Sequence, residues 1–211
     1  MSEAAIASTG RRYWDRYADG EGGWRDPSRT PPGDELAALR RGAGRPPWTV
    51  PSMWPFLTED VDDRFRGPDG DRKELPPGVI AEHHALVLFA IHQQSQRRPV
   101  HMRGVGLGTA VRALHGSNRF TKQAVDRRFY SAVTADELGE LVHHLRHIIR
   151  LLHGLPNVVA LDYGRLMSDI RDWRWPGGRD RVRRRWGLQY HSFHAGGEGS
   201  PALTDSTPDT P

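Results

Sequence analysis

The chain of 211 residues contains no cysteine. Disulfides, thiolate nucleophiles and every cysteine-based zinc site are therefore excluded. It also has no long apolar run. The longest, ALVLFAI at 85–91, is far short of the ~20 residues that a bilayer-spanning helix needs. Residues 1–20 carry charge throughout and contain no apolar segment of the secretory type. The expectation is a soluble cytoplasmic protein with no membrane partner. Lysine is nearly missing as well, since all but Lys73 and Lys122 of the 30 basic residues are arginine. No stretch shows the alternation of β-branched residues that marks a half-buried strand.

What remains is a basic chain, +4 at pH 7 with a pI near 9.8. Its length suits one good core or two small lobes sharing one. Arginine forks onto phosphate oxygens and stacks on bases, so the bias suits a nucleic-acid partner. A GC-rich genome also raises arginine usage, which makes the positions of the arginines more informative than their number.

Three stretches read as irregular from their Gly, Pro, Ser and Asp content: 19–33, 66–78 and the tail 195–211, the last expected to be disordered. Between them the apolar spacing is helical. The clearest helix is 134–153, where Leu138, Leu141, Val142, Leu145, Ile148, Ile149 and Leu152 form one stripe. Thr134 and Glu137 match a capping box at its start, and Gly154 and Pro156 stop it. Residues 78–95 are apolar over so wide an arc that this helix should lie centrally. Further helices are expected at 11–19, 33–42, 106–115, 120–132, 162–175 with Asp162 as N-cap, and 179–190. The fold class is all-α: a two-lobed helical bundle, with lobes 1–103 and 104–194 joined near Arg97–Arg103 and followed by the tail.

The stretch GVGLG at 104–108 has the spacing G-x-G-x-G, follows the short charged RRPVHMR, and lacks a downstream ribose-binding acid or a G-K-[ST]. It is a poor dinucleotide site, and no cofactor is expected. Gly104 and Gly106 instead allow a turn into a helix, and Gly108 permits close approach of a neighbour.

Charge is segregated. Residues 97–128 hold Arg97, Arg98, Arg103, Arg112, Arg119, Lys122, Arg127 and Arg128 against one acid, Asp126. Residues 171–185 hold seven arginines, Arg179 and Arg183 among them, against Asp172 and Asp180. Each arginine alone reads most simply as a solvated face or an i,i+4 ion pair. Together they form an electrostatic footprint of the kind nucleic-acid backbones reward. The aromatic residues among them, Phe120, Phe129, Tyr130, Trp173, Trp175 and Trp186, read as core side chains first and base-stacking platforms second.

Taken in order, the segments GDELAALRRG (33–42), HHALVLFAIHQQS (83–95), GVGLGTAVRAL (104–114), VDRRFYSAVTA (125–135), LVHHLRHIIRLL (141–152), LDYGRLMSDIRDW (161–173) and RVRRRWGLQYH (181–191) resemble the CasB family. That family is the small subunit of the type I-E CRISPR surveillance complex, Cascade. The resemblance implies an all-helical, non-enzymatic protein present as a pair. Its partners would be the crRNA-bearing backbone subunits, the large subunit and a second copy of itself. Its basic surface would meet the crRNA–DNA heteroduplex or the displaced single-stranded DNA and help hold the R-loop open. The family's basic positions carry over onto Arg40, Arg41, Arg127, Arg128 and Arg146, and His147 stands where a second arginine is common.

Two rival readings differ in class. His143 and His147 lie one helical turn apart and suggest a two-ligand metal face of an enzyme. No Glu sits between them as in H-E-x-x-H, and no carboxylate cluster supports a nuclease. The segments 162–175 and 179–190 suggest the helix-turn-helix of a stand-alone DNA-binding regulator. Against that, WPGGRD is long for such a turn, and RVRRRW offers phosphate partners rather than base readers.

Overall fold

The structure, a computed structural model, describes residues 11–59 and 75–191. The expected disordered tail lies outside the described residues, as does most of the 66–78 stretch. Among the described residues eight α-helices follow in order: α1 (Tyr13–Tyr17), α2 (Gly33–Arg40), α3 (Pro77–Gln93), α4 (Leu107–Ala113), α5 (Lys122–Thr134), α6 (Leu138–His153), α7 (Tyr163–Asp172) and α8 (Pro176–His191). Short 3-10 turns occupy Pro51–Phe56 and Leu114–Gly116. Among the described residues the only β-type pairings are two isolated bridges, Ala18 with Trp24 and His101 with Leu161. The all-α expectation is borne out. No described helix is long and apolar enough to cross a membrane.

The wide apolar arc of α3 places it at the centre, where it packs against α2, α6 and α7. Tyr163 of α7 lies against Phe89 of α3, with ring centroids 5.2 Å apart. The stripe of α6 is buried as its spacing requires, from Leu141 to Leu152, and faces α3 and α5. One continuous apolar cluster draws on residues from Tyr13 to Tyr190. The 97–105 connection is stitched to the start of α7: Leu161 N–H donates to Val100 O at 2.9 Å and Asp162 N–H to Val105 O at 2.8 Å.

Asp162 caps α7 as its sequence position predicts. Its Oδ1 accepts from Arg165 N–H at 2.9 Å, while Oδ2 accepts from Gly104 N–H at 2.9 Å. Gly104 adopts φ +81° in the turn before α4, and at Gly108 a Cβ would collide with the Trp186 carbonyl and lie 2.8 Å from Tyr190 N. That glycine lets α4 and α8 touch.

The expected capping box does not form. Thr134 ends α5, where its hydroxyl donates to Tyr130 O at 2.8 Å, and Glu137 is the residue before α6 with no side-chain cap bond. A threonine bonding back along its own helix is satisfied there, so it is not recruited to open the next one. Glu140 reaches back to accept from Asp136 N–H at 3.3 Å instead. Helix α8 also starts at Pro176, three residues before the expected Arg179, because proline at the first helical position needs no donor partner.

Candidate nucleic-acid interface

Helices α5 and α6 form an antiparallel hairpin, and a groove of about 240 Å3 runs between them, lined by Arg127, Arg128, Ser131, His143, His144 and His147. Apolar positions of α5 (Val125, Phe129, Ala132) are buried, which leaves Arg127 exposed and Arg128 half-buried. Arg128 donates to Ala124 O at 3.1 Å, one turn back on its own helix. On α6 the His143 and His147 rings lie 4.6 Å apart. Partial desolvation, then the charges of His143, Arg150, Arg128 and Arg146, hold the His147 imidazole below its ordinary value. Desolvation and the charge of Arg150 lower Arg146 in the same sense. These side chains share one electrostatic neighbourhood.

The turn after α2 joins it. A Cβ on Gly42 would come within 2.9 Å of His83 and of Val87 on α3, so the chain lies flat on that helix. Gly44, with φ +75°, sits where a Cβ would be 3.5 Å from the Arg146 guanidinium. The turn after α2 therefore passes beside α6 at Gly44. His84 of α3 is pushed down to about 3, first by desolvation and then by the charges of His83 and Arg146. Of the residues expected to bind nucleic acid, the structure thus brings Arg127 and Arg128 to one groove and places the charge of Arg146 within reach of His147 there, while Arg40 ends α2 and Arg41 opens the turn that passes Arg146 at Gly44. Arg150 and the three histidines join them. Arg150 could have been found from its i,i+4 spacing to Arg146. His143 and His147 stood out in the sequence as a one-turn pair, but their place opposite Arg127 and Arg128, like that of His144, is a tertiary fact.

The other expected residues lie elsewhere. Arg103 donates to Asp15 Oδ1 at 3.0 Å. Arg179 donates to Asp136 O at 2.6 Å, and Arg183 to Val133 O at 2.7 Å and Ala135 O at 2.9 Å, capping the end of α5. Arg183 also lies over the Trp173 ring at 5.4 Å, and Arg185 binds Asp169. Arg97 and Arg98 line a separate depression with Pro156, Asn157 and Val158. Arg112, half-buried, is in the last turn of α4. Within 171–185, Arg179, Arg183 and Arg185 are thus engaged, and Arg171, Arg181 and Arg184 are exposed. Among the interleaved aromatics, Phe129, Trp173 and Trp186 belong to the core, while Tyr130 and Trp175 are exposed.

The helix-turn-helix reading gains a short connection, Trp173–Trp175, between α7 and α8. Three of the arginines of α8, Arg179, Arg183 and Arg185, turn into the protein, while Arg181 and Arg184 stay exposed. Among the described residues no group of three or more His, Asp or Glu is placed to hold a metal ion.

Fold and groove together define an all-helical protein with a cationic cleft between two of its helices. The family model for CRISPR-associated protein Cse2 matches residues 35–191, and the chain belongs to that family. Among solved structures, CasB from Thermobifida fusca is 36% identical, with a TM-score of 0.58, and the match covers 75% of this chain and 84% of that one. A Cse2-family CRISPR-associated protein from Thermus thermophilus shares the fold at 22% identity, TM-score 0.54, covering 75% and 86%. M. ruber CasB shares it at 20% identity, TM-score 0.52, covering 78% and 86%. Comparison with curated proteins gave no match. The resemblance drawn from the ordered segments is borne out.

Proposed function

We propose that this chain is the non-catalytic small subunit of a type I-E surveillance complex, Cascade, and that it grips nucleic-acid backbone through the α5–α6 face without reading sequence. Its partners are the crRNA-bearing backbone subunits, the large subunit and a second copy of itself. Its ligand is the crRNA–DNA heteroduplex or the displaced single strand. R-loop formation exchanges one duplex for another of similar stability, so a modest grip on backbone is enough to tip it.

The observation that carries this reading is that Arg127 and Arg128 line one groove with His143, His144 and His147, while the charges of Arg146 and Arg150 reach His147 from its own helix. Among the described residues the one carboxylate paired with a groove side chain is Glu140, 3.6 Å from His144. Arginines left without acids are available to phosphates.

The test is a salt titration of single-strand binding. Replacing Arg127→Ala and Arg128→Ala together is expected to weaken binding equally for all sequences and to flatten the dependence of log K on log salt by about 0.7 per lost phosphate contact. An unchanged slope assigns both arginines to protein contacts and overturns the reading. Comparing random with genomic sequences separates it from a stand-alone regulator, which would select a preferred site.

A further inference from the structure

We propose that the groove between α5 and α6 is a seat for a single phosphate, taking one phosphodiester group of a nucleic-acid backbone between the arginines of α5 and the imidazoles of α6. The proposal rests on the nucleic-acid reading above and gives it a discrete ligand position. A cavity of about 240 Å3 offers room for one phosphate group and some of its water. One wall supplies two planar guanidiniums, Arg127 and Arg128, which match phosphate oxygens in pairs. The other supplies imidazole donors from His143 and His147, and the Ser131 hydroxyl adds a short donor beside the arginines. Donors converging from two helices suit a tetrahedral group, whose oxygens point in several directions. A planar carboxylate would engage one wall only.

The charges facing the seat come from every side. Arg127 and Arg128 face it from α5, and Arg146 and Arg150 flank His147 on α6 itself. Glu140 sits 3.6 Å from His144, the one acid paired with a lining side chain among the described residues, and from α3 His84 faces Arg146. In the free protein those cations disfavour a proton on His147. An anion in the groove reverses that balance, so phosphate and proton must bind together. Affinity for a strand therefore rises as pH falls, by up to about tenfold per pH unit for each imidazole that takes up a proton.

The experiment measures binding of an oligothymidylate strand to the full chain at fixed ionic strength between pH 6.0 and 8.0, with circular dichroism confirming the fold throughout. Wild type is expected to tighten severalfold toward pH 6.0. The exposed pair His143→Gln, His147→Gln is expected to bind more weakly than wild type at every pH, since both line the groove, and to lose most of that gain. Inorganic phosphate alone, at millimolar concentration, is expected to raise the NMR titration midpoint of His147, which the surrounding cations hold down in the free protein. If the histidine variant keeps the wild-type pH dependence, or phosphate leaves the His147 midpoint where it was, the seat does not exist. That failure is distinguishable from failure of the wider reading: Arg127→Ala with Arg128→Ala still weakening the strand rejects the seat alone, whereas wild-type binding by that variant rejects the interface as well.

Discussion

Glu82 on α3 is fully buried, and its carboxylate is satisfied from four directions. Arg12 donates at 2.9 Å, the Thr58 hydroxyl at 2.6 Å, Thr58 N–H at 2.9 Å and Glu59 N–H at 2.8 Å. Removing one partner of a buried charged network strands the others, so Glu82→Ala is expected to cost about 3 kcal/mol in urea unfolding. A loss below about 1 kcal/mol would mean that water replaces the carboxylate easily. His92 is a second buried group with a measurable signature. Burial, and to a lesser degree the charge of His153, push it down to about 3, while the unfolded chain titrates near 6.5. Between those values the unfolded state holds a proton that the folded state refuses. Stability is thus fully present above about pH 6.5 and is lost as pH falls toward 3, by up to about 1.4 kcal/mol per pH unit. His92→Gln should reduce the slope of unfolding free energy between pH 6.5 and 5 by about one proton. An identical slope would show that His92 is not the group responsible.

At the scale of elements, two glycines on the α4–α8 pair should respond in opposite directions. Gly108 lies where a Cβ would collide with the Trp186 carbonyl, whereas Gly187, within α8, has open space around the same position. Gly108→Ala must push the helices apart and is expected to lower stability by about 1–3 kcal/mol. Gly187→Ala removes only backbone freedom and is expected to raise it by about 0.5–1 kcal/mol. Thermal unfolding of the two variants checks both signs. The close approach at Gly108 was legible because a glycine within an apolar helical pattern needs a reason. Helix α6 was legible because its stripe is periodic, and α7 because Asp162 stands at its start. The α5–α6 boundary was not, since Thr134 suits the end of one helix as well as the start of the next. Only the bond to Tyr130 O decides between them.

For the whole molecule, the sequence shows where arginines cluster along the chain but not which acids meet them in space. Asp15 is 88 residues from Arg103, and Asp136 is 47 from Arg183. Such distant pairings depend on the packed fold, so the 171–185 segment looks as cationic in sequence as the α5–α6 face. The structure separates them into arginines that hold the protein together and arginines that remain open, and this separation has a direct consequence. Arg183→Ala removes bonds to Val133 O and Ala135 O and the contact over Trp173. It is expected to lower stability by about 2 kcal/mol while leaving the salt slope of strand binding unchanged. Arg127→Ala removes an exposed side chain on the groove. Its expected effect on stability is within about 0.5 kcal/mol, with the salt slope reduced by about 0.7. Unfolding and salt titration on the same two variants check both expectations. If Arg183→Ala flattens the slope as much as Arg127→Ala does, the nucleic acid reaches the α5–α6 turn, and the track is wider than the groove alone.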